Sequence, residues 1–258
     1  MALDKINPHP RDAHISFDEP THTYTIDGDS NYKSVTTFIH DFFPHFNADI
    51  AIKKMCASPK WNNTNKLYGK TPEEIKEIWR KNGEAASTQG TAMHLNIENY
   101  YNGEPMTESF RTSKEGELFQ KYLQDHKAYK AYRSEWTVYS KKYRIAGSID
   151  MVYEDPNNPG CHVIADWKRS VEIKFENKWE KGNGPLSHLD NCNYWHYTLQ
   201  LNIYRMLLEK YYDKRITEMF LVILHPNQEN YLKIEIPKIS KEILDMLEYR
   251  KLAIQSIV

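Results

Sequence analysis

Cysteine is scarce. Only Cys56, Cys161 and Cys192 occur in 258 residues, too few and too scattered for a disulfide framework, a zinc ribbon or a four-cysteine iron–sulfur cluster. Free thiols of this kind fit a reducing compartment. No stretch approaches the roughly 18 consecutive apolar residues that a membrane-spanning helix needs. The opening Met1-Ala-Leu-Asp-Lys-Ile-Asn-Pro8 carries no apolar core of a secretory signal. The expectation is a soluble, intracellular protein with no membrane partner. An excess of one charge is also missing: 34 lysines and arginines face 35 acids, for a net charge of −1. No global basic field announces a nucleic-acid partner, so any phosphate-facing surface must be a local patch. Internal repeats and low-complexity tracts are absent as well. What is present is apolar and aromatic: 40% hydrophobic and 13% aromatic residues, enough to fill a sizeable core.

The chain opens with a hairpin pattern over residues 14–34, with Ile15–Phe17 and Thr23–Ile26 as strands and Asp27-Gly28 as a turn signal. Ser34 is placed to cap a short helix through Ile39, and Ala48–Cys56 reads as another. Thr71-Pro72-Glu73-Glu74 is a helix start, with that helix expected to end near Lys81, before Asn82-Gly83. A separate helix is expected over Thr91–Tyr101 and another over Ser113–Lys130. The pattern then turns to strands at Tyr132–Tyr139, Arg144–Glu154 and Cys161–Lys168. A long helix near Tyr194–Tyr212, strands at Met219–Leu224 and Tyr231–Ile236, and a closing helix from Ser240 complete an α+β reading. Residues 1–83 are expected to form a hairpin and helical elaboration, and residues 84–258 the core, the whole packed as one compact unit.

Two of the strand-like runs carry a carboxylate among apolar residues: Gly147-Ser-Ile-Asp150 and Ile164-Ala-Asp-Trp-Lys168. A charge in such surroundings is costly unless paired or bound to a metal. Asp166 and Lys168, two apart, leave a strand from the same face. A symmetric turn at Asp155–Gly160 puts Asp150 opposite Ala165 or Asp166. A symmetric turn at Ser140–Tyr143 puts Glu135 opposite Ser148, on the face of Asp150. A one-residue slip would move these side chains to the other face. Two carboxylates and a lysine converging on one spot meet the needs of metal-assisted phosphodiester hydrolysis.

In order along the chain, Gly90-Thr-Ala-Met-His94, Gly147-Ser-Ile-Asp150, Asp166-Trp-Lys168 and Gln200-Leu-Asn-Ile-Tyr204 resemble the motifs of the PD-(D/E)XK nuclease superfamily, in its RecB-like exonuclease branch. The resemblance covers about residues 84–212; residues 1–80 match no family pattern. No proline precedes Asp150, but the G-x-x-D form is common in that branch. The cluster-binding cysteines of some relatives are absent. The resemblance implies an α/β/α restriction-endonuclease-like core, a central mixed sheet flanked by helices, to which the sequence pattern adds a helical N-terminal elaboration. It implies one or two Mg²⁺ or Mn²⁺ ions held by His94, Asp150, Asp166 and the backbone carbonyl of Trp167.

Carboxylate oxygens suit both ions, and an imidazole suits Mn²⁺. Glu98 lies on the face of His94 and stands open as metal ligand, proton acceptor or solvated acid. Lys168 would orient the attacking water or stabilise the phosphate, and the alternative is a plain salt bridge to Asp166. Gln200 and Tyr204 share a helix face and would bind the substrate phosphate or brace Lys168, although Tyr204 also falls on an apolar stripe. Arg169 and Lys174, in a basic run interleaved with Phe175 and Trp179, would contact nucleic acid, the alternative being a solvated loop. Glu135 would support the metal, touch substrate, or simply lie on the surface.

The expected function is a divalent-metal-dependent DNA nuclease, an exonuclease acting on ends or single strands by a metal-activated water, in replication, recombination or repair. The alternatives are a structure-specific or RNA-directed endonuclease sharing these residues, and a catalytically silent nucleic-acid-binding module of the same fold.

Overall fold

The computed structural model describes residues 2–255 and divides into two compact units, one built from Met1–Pro44 and Met93–Val258, the other from His45–Ala92. In the first, α1 (Leu3–Ile6) precedes the hairpin of β1 (Ile15–Asp18) and β2 (Thr23–Ile26), and β3 (Lys33–Ser34) leads into α2 (Val35–His40). Ser34 caps α2 as the sequence suggests, its hydroxyl accepting from the Thr37 amide. The second unit holds α3 (Ala48–Cys56) and most of α4 (Pro72–Tyr101).

Helix α4 corrects the expectation of two helices parted at Asn82-Gly83: it runs through both residues for 30 positions. A Cβ at Gly83 would meet nothing, so that glycine answers no packing need. Its cost of about 1 kcal/mol is borne by the neighbours. Arg80 pairs with both Glu77 and Glu84, and the second pair spans Asn82-Gly83 on the solvent side.

The first unit continues with α5 (Glu108–Arg111), α6 (Lys114–Asp125), β4 (Lys130–Ser140), β5 (Ile145–Glu154) and β6 (Cys161–Lys168). It closes with α7 (Asn193–Tyr211), β7 (Arg215–Ile223), β8 (Leu232–Glu235) and α8 (Ser240–Gln255). Helix α6 stops five residues short of the expected Lys130, because Lys130 already pairs with Glu154 in the sheet. The fold is α+β, an open mixed sheet between helical layers. The sheet order is β3-β5-β6-β7-β8, with β4 also on β5; β3/β5 and β6/β7 are parallel and the other pairs antiparallel. One face packs α2, α7 and α8 through Val35, Phe38, Leu199, Leu207, Ile243 and their neighbours. The other packs α4 and α6 through Met93, Ile97, Leu118, Phe119 and Tyr122 against Tyr153, Val163 and Trp167.

Strand β5 is forked. β4 takes one of its edges along the whole length, so β3 and β6 share the other. β3 reaches only Ile145 and Ala146, and β6 only Met151–Glu154, which leaves residues 147–150 without a strand partner on that side. β6 meanwhile stays on β7 through Lys168. Gly147–Asp150 and Asp166–Lys168 therefore flank the opening where two strands part.

Candidate active site

Asp166 is 2% exposed on β6, and its Oδ2 lies 2.7 Å from Lys168 Nζ. The shared strand face expected of the two is realised. Oδ1 is buried and accepts no hydrogen bond. Burial lifts the Asp166 carboxyl to about 6, with the charge of Asp150 adding and that of Lys168 opposing. For Lys168 burial works against the charge, yet Asp166 and Asp150 hold its ammonium above the usual lysine range.

The fork explains the place of Asp150. With no strand rung beyond Met151↔Ala165, the Trp167 amide would lack an acceptor, and it donates instead to Asp150 Oδ2 at 2.8 Å. Asp150 Oδ2 is also 3.5 Å from His94 Nδ1 on α4. Burial raises the Asp150 carboxyl, against the pull of His94. At His94 burial opposes protonation, but Asp150 and Glu135 outweigh it and lift the imidazole to about 9.

Glu135 stands closer to this centre than its sequence signal indicates. The β4–β5 turn is Lys141–Arg144, so Thr137 rather than Glu135 pairs with Ser148. That shift is two residues, which preserves the face. Glu135 lies between the rungs Ser134↔Met151 and Trp136↔Ile149, with φ 42°, a left-handed conformation that costs a non-glycine residue on the order of 1 kcal/mol or more. Its Oε2 accepts from Ser148 Oγ at 2.9 Å, and its Oε1 is 3.7 Å from His94 Nδ1. One ligand atom each from His94, Glu135 and Asp150 falls within 4.8 Å of the others. Asp166 is not a member of that group, although Asp150 raises its pKa. Glu98, one turn along α4, is half-buried; burial raises its carboxyl, with Glu135 and Glu19 adding.

Helix α7 supplies the other wall. Lys168 Nζ donates to Gln200 Oε1 at 3.5 Å, and Gln200 Nε2 to Tyr204 Oη at 3.4 Å. Tyr204 belongs to the apolar core, as its place on an apolar stripe suggests, and its hydroxyl accepts from Gln200. Burial pushes its phenol well up. Two further residues here belong to none of the sequence motifs. Tyr197 lies under Lys168, with Nζ 4.7 Å from the ring centre, and its place three before Gln200 on the same helix face was the available signal. Tyr24, on β2, is buried beside Ser148, Glu135 and Asp150; nothing local in its hairpin marked it.

Arg169 is held by Glu115 on α6, Nε to Oε1 at 2.8 Å with both side chains largely covered, so its charge is already matched. Lys174 is exposed, and its side chain makes no ion pair among the described residues. In the same loop Lys181 pairs with Asp190, Phe175 leans on Tyr194, and Trp179 is 87% exposed.

The donor set suits a hard divalent cation: one imidazole and several carboxylate oxygens, one of them buried without a hydrogen-bond donor. Among the described residues, no helix is long and apolar enough to cross a membrane.

Neither a family model nor a curated protein sequence matches the chain. Among solved structures, a candidate exonuclease from Eubacterium rectale is similar at 15% identity and a TM-score of 0.41, over 88% of this chain and 80% of that one. SSO0001 is similar at 13% identity and a TM-score of 0.35, over 88% and 78%.

Proposed function

We propose that this chain is a divalent-metal-dependent nuclease that hydrolyses DNA phosphodiester bonds, working as an exonuclease from ends or on single strands. The observation that carries the reading is Asp166: a buried carboxylate with one oxygen on Lys168 and the other free, across a strand fork from Asp150. A buried acid without enough donors is costly, and it persists where a cation completes it. His94, Asp150, Asp166 and the Trp167 carbonyl would hold Mg²⁺ or Mn²⁺, with Glu135 joining them and Glu98 at their edge. When bound there, such an ion would supply Lewis acidity toward the phosphate and ease deprotonation of water.

The chain's own groups do the rest. Lys168 is steadied by Asp166, Gln200 Oε1 and the Tyr197 ring, and so presents a fixed positive charge where charge grows on the phosphate. Gln200 and Tyr204 hold that ammonium in line and offer donors to a phosphate oxygen. Lys174 would meet the strand beyond the site, and Arg169, engaged with Glu115, would order the end of β6.

The test is loss of label from end-labelled linear and circular DNA, single- and double-stranded, with Mn²⁺ or Mg²⁺ and an EDTA control. The reading expects linear strands to be shortened, circles to survive, and EDTA or Asp166→Asn to stop the reaction. Cleavage of circles would make the enzyme an endonuclease, and full hydrolysis by Asp166→Asn would overturn the assignment.

A further inference from the structure

The second unit has a charge pattern unlike the rest of this near-neutral chain. Between Asp49 and Glu73 there is no acidic residue, yet Lys53, Lys54, Lys60, Lys66 and Lys70 all fall there. All five are exposed, and none makes an ion pair with a carboxylate among the described residues. Elsewhere in the unit basic residues are matched: Lys76 pairs with Asp49, and Arg80 with Glu77 and Glu84. Aromatic rings lie among the free lysines. Trp61 and Tyr68 pack with ring centres 5.6 Å apart, and Tyr68 is 51% exposed. An open cavity of about 690 Å³ is bordered by Lys66, Lys70, Asn65, Asn82 and Trp79, which combines cationic, hydrogen-bonding and flat apolar surface.

We propose that this unit binds single-stranded nucleic acid, the lysines contacting successive phosphates while Tyr68 and the cavity beside Trp79 take bases. Clustered unpaired lysines give affinity for any polyanion. The aromatic faces and side-chain amides narrow that to a ligand with stackable, hydrogen-bonding rings on a phosphate backbone. A lipid surface would ask for an apolar helix face instead, and an acidic peptide would leave the rings unused. That the polyanion is nucleic acid rests on the hydrolase reading above; the surface itself rests only on residues of this unit.

The test is fluorescence anisotropy of a labelled oligothymidylate with the full-length chain in EDTA, across a salt series, so that no hydrolysis intervenes. Lys60→Ala/Lys66→Ala/Lys70→Ala should weaken binding and reduce the slope of log affinity against log salt by about 2, near 0.7 for each lost phosphate contact. Tyr68→Ala should weaken binding with the slope unchanged, and Tyr68→Phe should restore it. Circular dichroism confirms that each variant is folded. Unchanged affinity and slope in the triple variant would overturn the proposal. So would equal, lysine-dependent binding of anionic lipid vesicles. Because binding is read without metal, these outcomes are independent of whether the chain cleaves.

Discussion

Gly147 and Tyr204 approach so closely that a Cβ on the glycine would stand 2.8 Å from both the phenol oxygen and Cε1 of the tyrosine. The glycine of the G-x-x-D segment thus makes room for the tyrosine of Q-x-x-x-Y, and two motifs 57 positions apart by number form one contact.

Gly147→Ala should therefore lower stability by about 1–3 kcal/mol, the usual cost of overpacking, and should disturb Gln200 and Lys168 through the displaced ring. Pairing it with Tyr204→Leu should recover part of the stability and none of the lost activity. Denaturant midpoints and cleavage rates on wild type and the two variants measure both.

Lys168→Ala should slow cleavage by about 10²–10³-fold, as when a single charge-stabilising donor is removed. It also leaves Asp166 buried without its ion-pair partner, so the metal-free protein should lose stability. Added Mn²⁺ should restore stability but not rate, which separates the lysine's two effects by thermal melting and initial-rate assays.

Removing the metal should itself be visible without any substrate. Occupancy at about 100 times the dissociation constant adds close to 2.7 kcal/mol. Mn²⁺ should then raise the melting temperature and EDTA return it. Glu135→Gln should blunt the rise, since Glu135 stands with His94 and Asp150 in a cluster that could hold the ion.

Acid should destabilise the fold through histidines outside this centre. His162 is held down to about 4 by burial, with Lys214 adding, and His196 to about 4 by burial, with His40 adding. Both are neutral when folded, while the unfolded chain protonates near 6.5. Above that pH they contribute nothing; stability drops as pH falls from about 6.5 toward 4, on the order of 1 kcal/mol for each. Comparing unfolding at pH 7.5 and 5 with His162→Gln should show a shallower fall in the variant. The acids common to both proteins cancel in that comparison.

Much of this was legible in the residues themselves. Cys161–Lys168 is a strand over the expected span because its apolar run is bounded by turn residues on one side and a charged end on the other. Ser34 marked a helix start through its cap, Asn102-Gly103 a helix end with Gly103 at φ 78°, and Ser240 begins the last helix. Asn82-Gly83 misled because a glycine's permissiveness does not oblige a turn, and the Arg80–Glu84 ion pair spans it. Glu135 was underrated because strand register fixes a face but not which residue is brought forward. Tyr24 could not have been found, since what places it is tertiary packing.

The fork in β5 changes how one substitution must be interpreted. Where ordinary ladder rungs are missing, the Asp150 carboxylate is itself the staple joining its strand to the Trp167 amide. An alanine at 150 thus removes a candidate ion ligand and unpins two strands together, whereas asparagine can keep the staple by accepting through its amide oxygen. The difference between those two variants, rather than either one alone, isolates what the negative charge contributes.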